Sequence, residues 1–414
     1  MPNPGYRERE LNSMPINPIR ISQDIQTIAG FSESAPMVGF SRPTFSPSWR
    51  LARDYIIAQA EAAGCKSRVD AFGNVHIRPK LLDWNAPVWL SGSHIDSVPT
   101  GGKFDGVIGI VCPLEVLRTA HETEKTILLE LIIFAEEEGT TFGLGMIGSR
   151  LWTGAAWVQS IESFLNSAGQ NYFTAGKDHG VNPDAFLADV FNPSHYRGLI
   201  EIHIEQGPAM WENNIPLAVV TAISGRKQYK IELTGVPNHA GSTPMKYRCD
   251  ALTAAAKMIS DIEQLAIKIS DQTVATVGRI ECQPNAINVI PGLVRFTVDL
   301  RSPDSDCLLA GHQGLYQLIR ESAAKEATFV KTEDQPVVEM DADLVDRLVG
   351  ALGDPAVTTV SGALHDAAIV APLIPTVMLF VASKDGISHN PAEYSRIEDI
   401  TAAAVVLEKV VAET

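Results

Sequence analysis

Apolar residues fall into two kinds of pattern along the chain. Short unbroken runs occur at Val88-Trp89-Leu90, Ile127 to Ala135, Leu199 to Ile204 and Thr376 to Val381. They are bounded by Gly, Pro or polar clusters and predict strands buried on both faces. Between them, Ser48 to Ala63 and Val107 to Ala120 carry apolar residues at helical spacing. Strand alternating with helix predicts an α/β domain with a central, mainly parallel sheet flanked by helices. The middle of the chain differs. Gln228 to Leu233 and Leu293 to Leu300 alternate polar and apolar residues, and Cys249 to Lys268 and Asp306 to Ala324 read as helices. One-sided strands with helices describe a smaller α+β domain, inserted at about 225–335 between the two parts, 1–224 and 336–414, of the first.

Composition narrows the class. At 414 residues, 45% hydrophobic and 20% charged, the chain can bury two ordinary globular cores. A formal net charge of −16, with no basic cluster longer than Lys246-Tyr247-Arg248, argues against a nucleic-acid partner. Five scattered cysteines without a CxxC pair suggest neither a disulfide framework nor a thiolate metal site, and fit a reducing cytoplasm. Met1 to Pro18 is polar and Pro-rich, so neither a signal peptide nor a membrane span is expected.

Candidate chemistry gathers where the buried runs end. His94 and Asp96 follow one run at alternate positions. Period two would put them on one side, with Asp96 orienting the second ring nitrogen of a metal-bound His94; a surface histidine beside a turn aspartate is the plainer reading. Asp105 follows two glycines and opens a helix, where capping is the plainer role. The run to Phe134 leads almost directly into Glu136-Glu137-Glu138. Three carboxylates beside a buried strand are costly unless cations or protons compensate, or the loop is solvated. Glu201, His203 and Glu205 would share one strand face, and His389 lies in a loop after the last run. All these positions fall at strand ends or just beyond, the edge where open α/β sheets bind ligands. Three histidines with Asp and Glu and no Cys suit zinc, manganese, cobalt or nickel with a position open to water.

The chain resembles the M20-type metallopeptidase superfamily, in its amidase branch of hydantoinase/carbamoylase enzymes. The resemblance is carried by GSHIDSVPTGGKFDGVIG, FAEEEGTTFG, EIHIEQGP, GVPNHAGSTPM, NAINVIPGLVRFTVDLRSPD and GISHNPAEYS, in family order from about residue 40 onward. It implies two divalent metal ions per subunit, zinc foremost. His94 and His203 would bind one, Glu138 and His389 the other, and Asp105 would bridge them. It further implies Glu137 as general base, with Glu136 left without a role, and a cis peptide at Asp105-Gly106. In the inserted domain, His239 would stabilise the oxyanion and Arg301 would grip a substrate carboxylate. Asn288 and Gln206 would orient substrate groups, and His365 would line the site. The activity implied is hydrolysis of a linear ureido C–N bond. An N-carbamoyl-L-amino acid is the expected substrate, and allantoate or a related ureide the alternative. An aminoacylase or dipeptidase, or a non-catalytic scaffold, fits less well. The inserted domain would act as a lid and join a homodimer.

Overall fold

A computed structural model describes residues 16–35 and 38–412. Most of the polar N-terminal segment read above, residues 1–15, lies outside the described residues. The chain divides into two compact units. One runs to Thr221 and resumes over Met340–Thr359 and from His365 onward; the other is Ala222–Glu339 with Val360–Leu364. The junctions at 221/222 and 339/340 lie within a few residues of 224/225 and 335/336, whereas Val360–Leu364 was expected in the first unit and falls in the second.

In chain order, the first six strands are β1 (Cys65–Val69), β2 (Val75–Pro79), β3 (Val88–His94), β4 (Leu129–Phe134), β5 (Tyr196–Ile204) and β6 (Leu217–Ile223). Next come β7 (Gly225–Thr234), β8 (Val274–Thr276), β9 (Ile280–Gln283), β10 (Leu293–Ser302) and β11 (Glu326–Gln335). The last are β12 (Val338–Glu339), β13 (Thr358–Ser361) and β14 (Thr376–Val381).

The first unit is built on a sheet ordered β1-β2-β4-β3-β5-β14-β6. The four central strands, β4, β3, β5 and β14, are mutually parallel, with antiparallel neighbours outside them. Every residue of β3, β4 and β14 is buried, as expected of strands covered on both faces. The helix Val107–Glu122 is buried from Val107 to Ala120, so it has no polar face to turn to water. Register places His94 opposite Phe134 and His203 opposite Phe380. The parallel strands therefore deliver their C-terminal residues to one edge.

The second unit has a five-stranded antiparallel sheet along β11-β7-β10-β8, with β9 also paired to β10. Tyr229, Ile231 and Leu233 of β7, with Val294, Phe296, Val298 and Leu300 of β10, form one buried face. The helices Ala251–Ile269 and Ser305–Arg320 cover it with Ala255, Met258, Ile262, Leu308 and Leu315. Alternate residues of β10, such as Arg295, face away. The two predicted helices and two predicted strands are all present. Among the described residues, no helix is long and apolar enough to cross a membrane.

Candidate metal centre

Strand ends position the first two ligands. His94 is the last residue of β3, and His203 the penultimate residue of β5. Each ring is buried and aimed by a backbone carbonyl just after it in the chain: His94 Nδ1 lies 2.9 Å from the carbonyl oxygen of Asp96, and His203 Nδ1 lies 3.0 Å from that of Ile204. Nδ1–H donation to a carbonyl leaves each Nε2 with a free lone pair, the form a metal requires. Both Nε2 atoms are buried without a hydrogen-bond partner. Both approach the same oxygen, Asp105 Oδ1, at 3.4 Å from His94 and 3.2 Å from His203.

The other oxygen of Asp105 faces a second group. His389 Nε2 is 3.5 Å from Asp105 Oδ2 and 3.4 Å from Glu138 Oε2. Two clusters, His94/Asp105/His203 and Asp105/Glu138/His389, thus offer convergent ligand atoms and share one carboxylate. All five sequence-predicted ligands come together. Orphaned Nε2 atoms on two buried imidazoles, an orphaned Oε1 on Glu138 and a mixed N/O donor set fit divalent metal ions.

The electrostatics of the protein groups alone point the same way. Burial pushes the Glu138 carboxyl well above the usual range, with Asp105 and Asp96 adding to the shift and His94 opposing it. Glu137 is driven the same way by burial, against His94, with Glu138, Asp366 and Asp96 adding repulsion. Burial raises the Asp105 carboxyl too, but the flanking imidazoles of His203 and His94 outweigh this and hold it well below that range. So dense a set of buried acids calls for cationic compensation. Glu137 follows the end of β4, its Oε2 3.7 Å from His94 Nε2.

Several expectations need correction. The Asp96 carboxylate does not orient His94; the Asp96 backbone carbonyl does. β3 ends at His94, so period-two alternation no longer governs Asp96. Its carboxylate instead accepts from the backbone N–H groups of Glu137 at 3.4 Å and Glu138 at 3.1 Å. It therefore fixes the backbone that carries Glu137 and Glu138. Asp105 is not a helix cap: the cap position is Gly106, and no side chain bonds there. The Asp105-Gly106 peptide is trans; the cis peptides among the described residues are Gln283-Pro284 and Asp354-Pro355. The turn is made by Gly106 at φ 67°, ψ −40°, in the positive-φ region that glycine enters without strain. Glu205 leaves the face of Glu201 and His203, because β5 stops at Ile204, and accepts from Met210 N.

The other named residues have definite places. Gln206 Nε2 donates to Asp105 Oδ2 at 2.8 Å, so this amide steadies the carboxylate common to both clusters; its Oε1 is buried and unpartnered. His365 is buried with its ring 4.4 Å from that of His203. Glu136, left without a role by the sequence, is buried and accepts from Thr141 N and Phe142 N, pinning the loop that follows the acidic triplet. His239, Asn288 and Arg301 belong to the second unit. His239 and Asn288 are exposed on adjoining segments, joined by the Ala240 N to Asn288 O hydrogen bond. Arg301 on β10 is held by Asp299 through Nε at 2.7 Å and donates from Nη1 to Gly362 O at 2.8 Å. Sequence reading missed Asn74, whose Oδ1 accepts from Ala135 N at 3.1 Å just before the acidic triplet. It also missed Ser388 and Glu393, which sit beside Asp105. Their only signal was their place within the GISHNPAEYS motif.

Known proteins resemble this chain in sequence and in fold. The model of peptidase family M20/M25/M40 matches residues 90–413. The N-carbamoyl-L-amino-acid amidohydrolase of Paenarthrobacter aurescens is 34% identical over 399 residues, spanning 94% of this chain and 96% of that protein. The allantoate amidohydrolase of Escherichia coli is 33% identical over 375 residues, spanning 88% and 90%. A crystal structure of a hydantoinase/carbamoylase family amidase from Burkholderia multivorans superposes with a TM-score of 0.86 at 32% identity, covering 96% of this chain and 97% of that one. With its ligand clusters at the carboxyl edge of the sheet, this chain belongs to peptidase family M20/M25/M40, as a hydrolase of the hydantoinase/carbamoylase amidase branch.

Proposed function

We propose that the enzyme hydrolyses the ureido C–N bond of an N-carbamoyl-L-amino acid, giving the amino acid, ammonia and carbon dioxide. The observation that carries this reading is the pair of ligand clusters sharing Asp105 beside the buried carboxyl of Glu137. His94, Asp105 and His203 would hold one divalent metal, and Asp105, Glu138 and His389 the other; zinc is the first choice, with manganese, cobalt or nickel as alternatives. When bound, such metals supply Lewis acidity, lowering the pKa of a water towards neutrality.

The chain's own groups do the rest. Glu137 takes the proton of the attacking water and returns it to the leaving nitrogen. One water is consumed as the C–N bond breaks, and the carbamic acid formed decomposes to ammonia and carbon dioxide. His239 donates to the carbonyl oxygen as charge develops there. Arg301, already oriented by Asp299, takes the substrate carboxylate through its planar guanidinium. Asn288 and the unpartnered Oε1 of Gln206 receive the substrate's N–H groups, and His365 lines the pocket. The second unit serves as lid and as the joint of a homodimer, and the enzyme works in the cytoplasm.

The 33% identity to an allantoate amidohydrolase favours one rival, since allantoate also carries ureido groups beside a carboxylate. Ammonia release decides between them. The panel is N-carbamoyl-L- and D-amino acids, allantoate and N-acyl amino acids, each with zinc, manganese or cobalt. Turnover fastest on an N-carbamoyl-L-amino acid is expected. Preference for allantoate would install the rival, and release from none of the ureides would remove both.

A further inference from the structure

The two metal positions are not built alike. The ligands of the first, His94, Asp105 and His203, are all buried, and its imidazoles stand at strand ends with both Nδ1 atoms fixed. The second depends on His389, a loop residue with 49% of its side chain exposed and a backbone φ of 54°. That conformation is uncommon for a residue with a Cβ and persists only where surroundings impose it. What imposes it must lie in the loop's own attachments.

Glu393 is the strongest of these. It is 4% exposed, though four residues along the loop from His389. Its Oε1 accepts from two successive backbone N–H groups, Phe104 at 2.8 Å and Asp105 at 3.1 Å. Its Oε2 accepts from Ser388 Oγ at 3.3 Å, and that hydroxyl also lies 3.0 Å from Asp105 Oδ2. The Asp105 turn leaves room for this carboxyl only because residue 102 is glycine: a Cβ there would come within 2.2 Å of it. The intervening loop is short and internally bonded, Glu393 N to Asn390 O at 3.0 Å and Ala392 N to Asn390 Oδ1 at 2.9 Å. A shift of Glu393 therefore carries His389 with it. Both carboxylate oxygens are committed to these donors, and Glu393 belongs to neither ligand cluster.

We propose that Glu393 is a positioning residue that sets the affinity of the second metal position, by tying the turn bearing Asp105 to the loop bearing His389. The inference rests on the metal-centre reading above. Glutamine at 393 keeps an oxygen for the two backbone N–H groups; alanine keeps nothing.

The test is metal binding by the whole chain: isothermal titration of the chelated protein with zinc, and elemental analysis after dialysis against a fixed free-zinc concentration. Wild type should bind two equivalents. Glu393→Ala should retain one and bind the second about 10–100-fold more weakly, the usual cost of losing a residue that orients a ligand. Glu393→Gln should recover most of the second affinity. Thermal unfolding of the chelated proteins serves as the control for folding. Two equivalents of unchanged affinity in Glu393→Ala would overturn the proposal. So would equal weakening of both equivalents, or a glutamine variant as weak as alanine. If wild type binds none of zinc, manganese, cobalt and nickel, the metal-centre reading itself fails, an outcome distinct from all of these.

Discussion

At the scale of single residues, the centre depends on what each carboxyl is free to do. Glu138 and Asp105 present oxygens within the ligand clusters, whereas Glu137, though 3.7 Å from His94 Nε2, belongs to neither cluster and is repelled by Glu138, Asp366 and Asp96. An isosteric amide at 137 keeps the shape and loses the ability to take a proton. Glu137→Gln should therefore lower kcat by about 10²–10⁴-fold, the range of general-base contributions, while metal content stays at the wild-type level. It also removes a carboxyl whose ionisation burial and the neighbouring acids oppose, so the chelated variant should unfold at the same temperature as wild type or higher. Steady-state kinetics at saturating substrate, elemental analysis and a thermal melt read these three quantities. A kcat near wild type would take the base role away from Glu137.

At the scale of elements, legibility followed burial. Thr376–Val381 was readable to the residue because both faces are covered and its flanks are polar; the same holds for the cores of β3 and β4. The five candidate ligands stood out because each ends or follows such a strand, and the structure brings them together. What failed was the two-residue period carried past a strand end. Asp96 and Glu205 were placed by a period that had already stopped. The stretch from Val158 to His195 gave no pattern because it forms short helical turns fixed by distant partners. Asp189, for instance, meets Arg68 and Ala71 N, and Tyr172 Oη donates to Phe72 O. A second illegible feature lies across β2 and β4. His76 sits fully buried between Asp70 and Glu130, at 3.1 and 2.7 Å, with Arg78 also on Glu130. Burial disfavours its imidazolium, but the bonds to Asp70 and Glu130 outweigh this and raise its pKa above 6.5. Burial likewise opposes the Glu130 carboxylate, but His76 and Arg78 bring its pKa below 4.5. The histidine's contribution to stability is complete below 6.5 and fades as pH rises through its raised folded value. The glutamate's is complete above 4.5 and fades as pH falls through its lowered one. The stability lost in His76→Gln should thus be greatest between these limits, on the order of 3–5 kcal/mol for breaking a buried pair, and should shrink towards pH 9. Urea denaturation of both proteins at pH 6 and pH 9 measures it. A difference independent of pH would mean that His76 is neutral throughout.

At the scale of the whole molecule, the two compact units have separate cores, and among the described residues both ligand clusters lie in the first. Bound metal stabilises only what must open to release it. The gain is RT ln(1 + [L]/Kd), about 4 kcal/mol at a thousandfold excess over Kd. Chelation should therefore act locally rather than on the chain as a whole. Hydrogen exchange followed by mass spectrometry resolves this. Removing metal should speed exchange, by up to about 10³-fold in openings that release the ions. The affected peptides should be the end of β3 with the Asp105 turn, the loop after β4 carrying Glu136 to Glu138, the end of β5, and the loop from Ser383 to Ser395. The helix Ala251–Ile269 and strand β10, whose protection comes from the second unit's own core, should exchange at the same rate with or without metal. Restoring zinc should restore protection in the first set alone. Exchange that quickened equally in both units would mean that the metals hold up the whole chain and not the carboxyl edge of one sheet. Exchange unchanged everywhere would mean that His94, His203 and their acidic partners keep their places without any cation, and the case for a metal centre built from orphaned imidazole nitrogens would be lost.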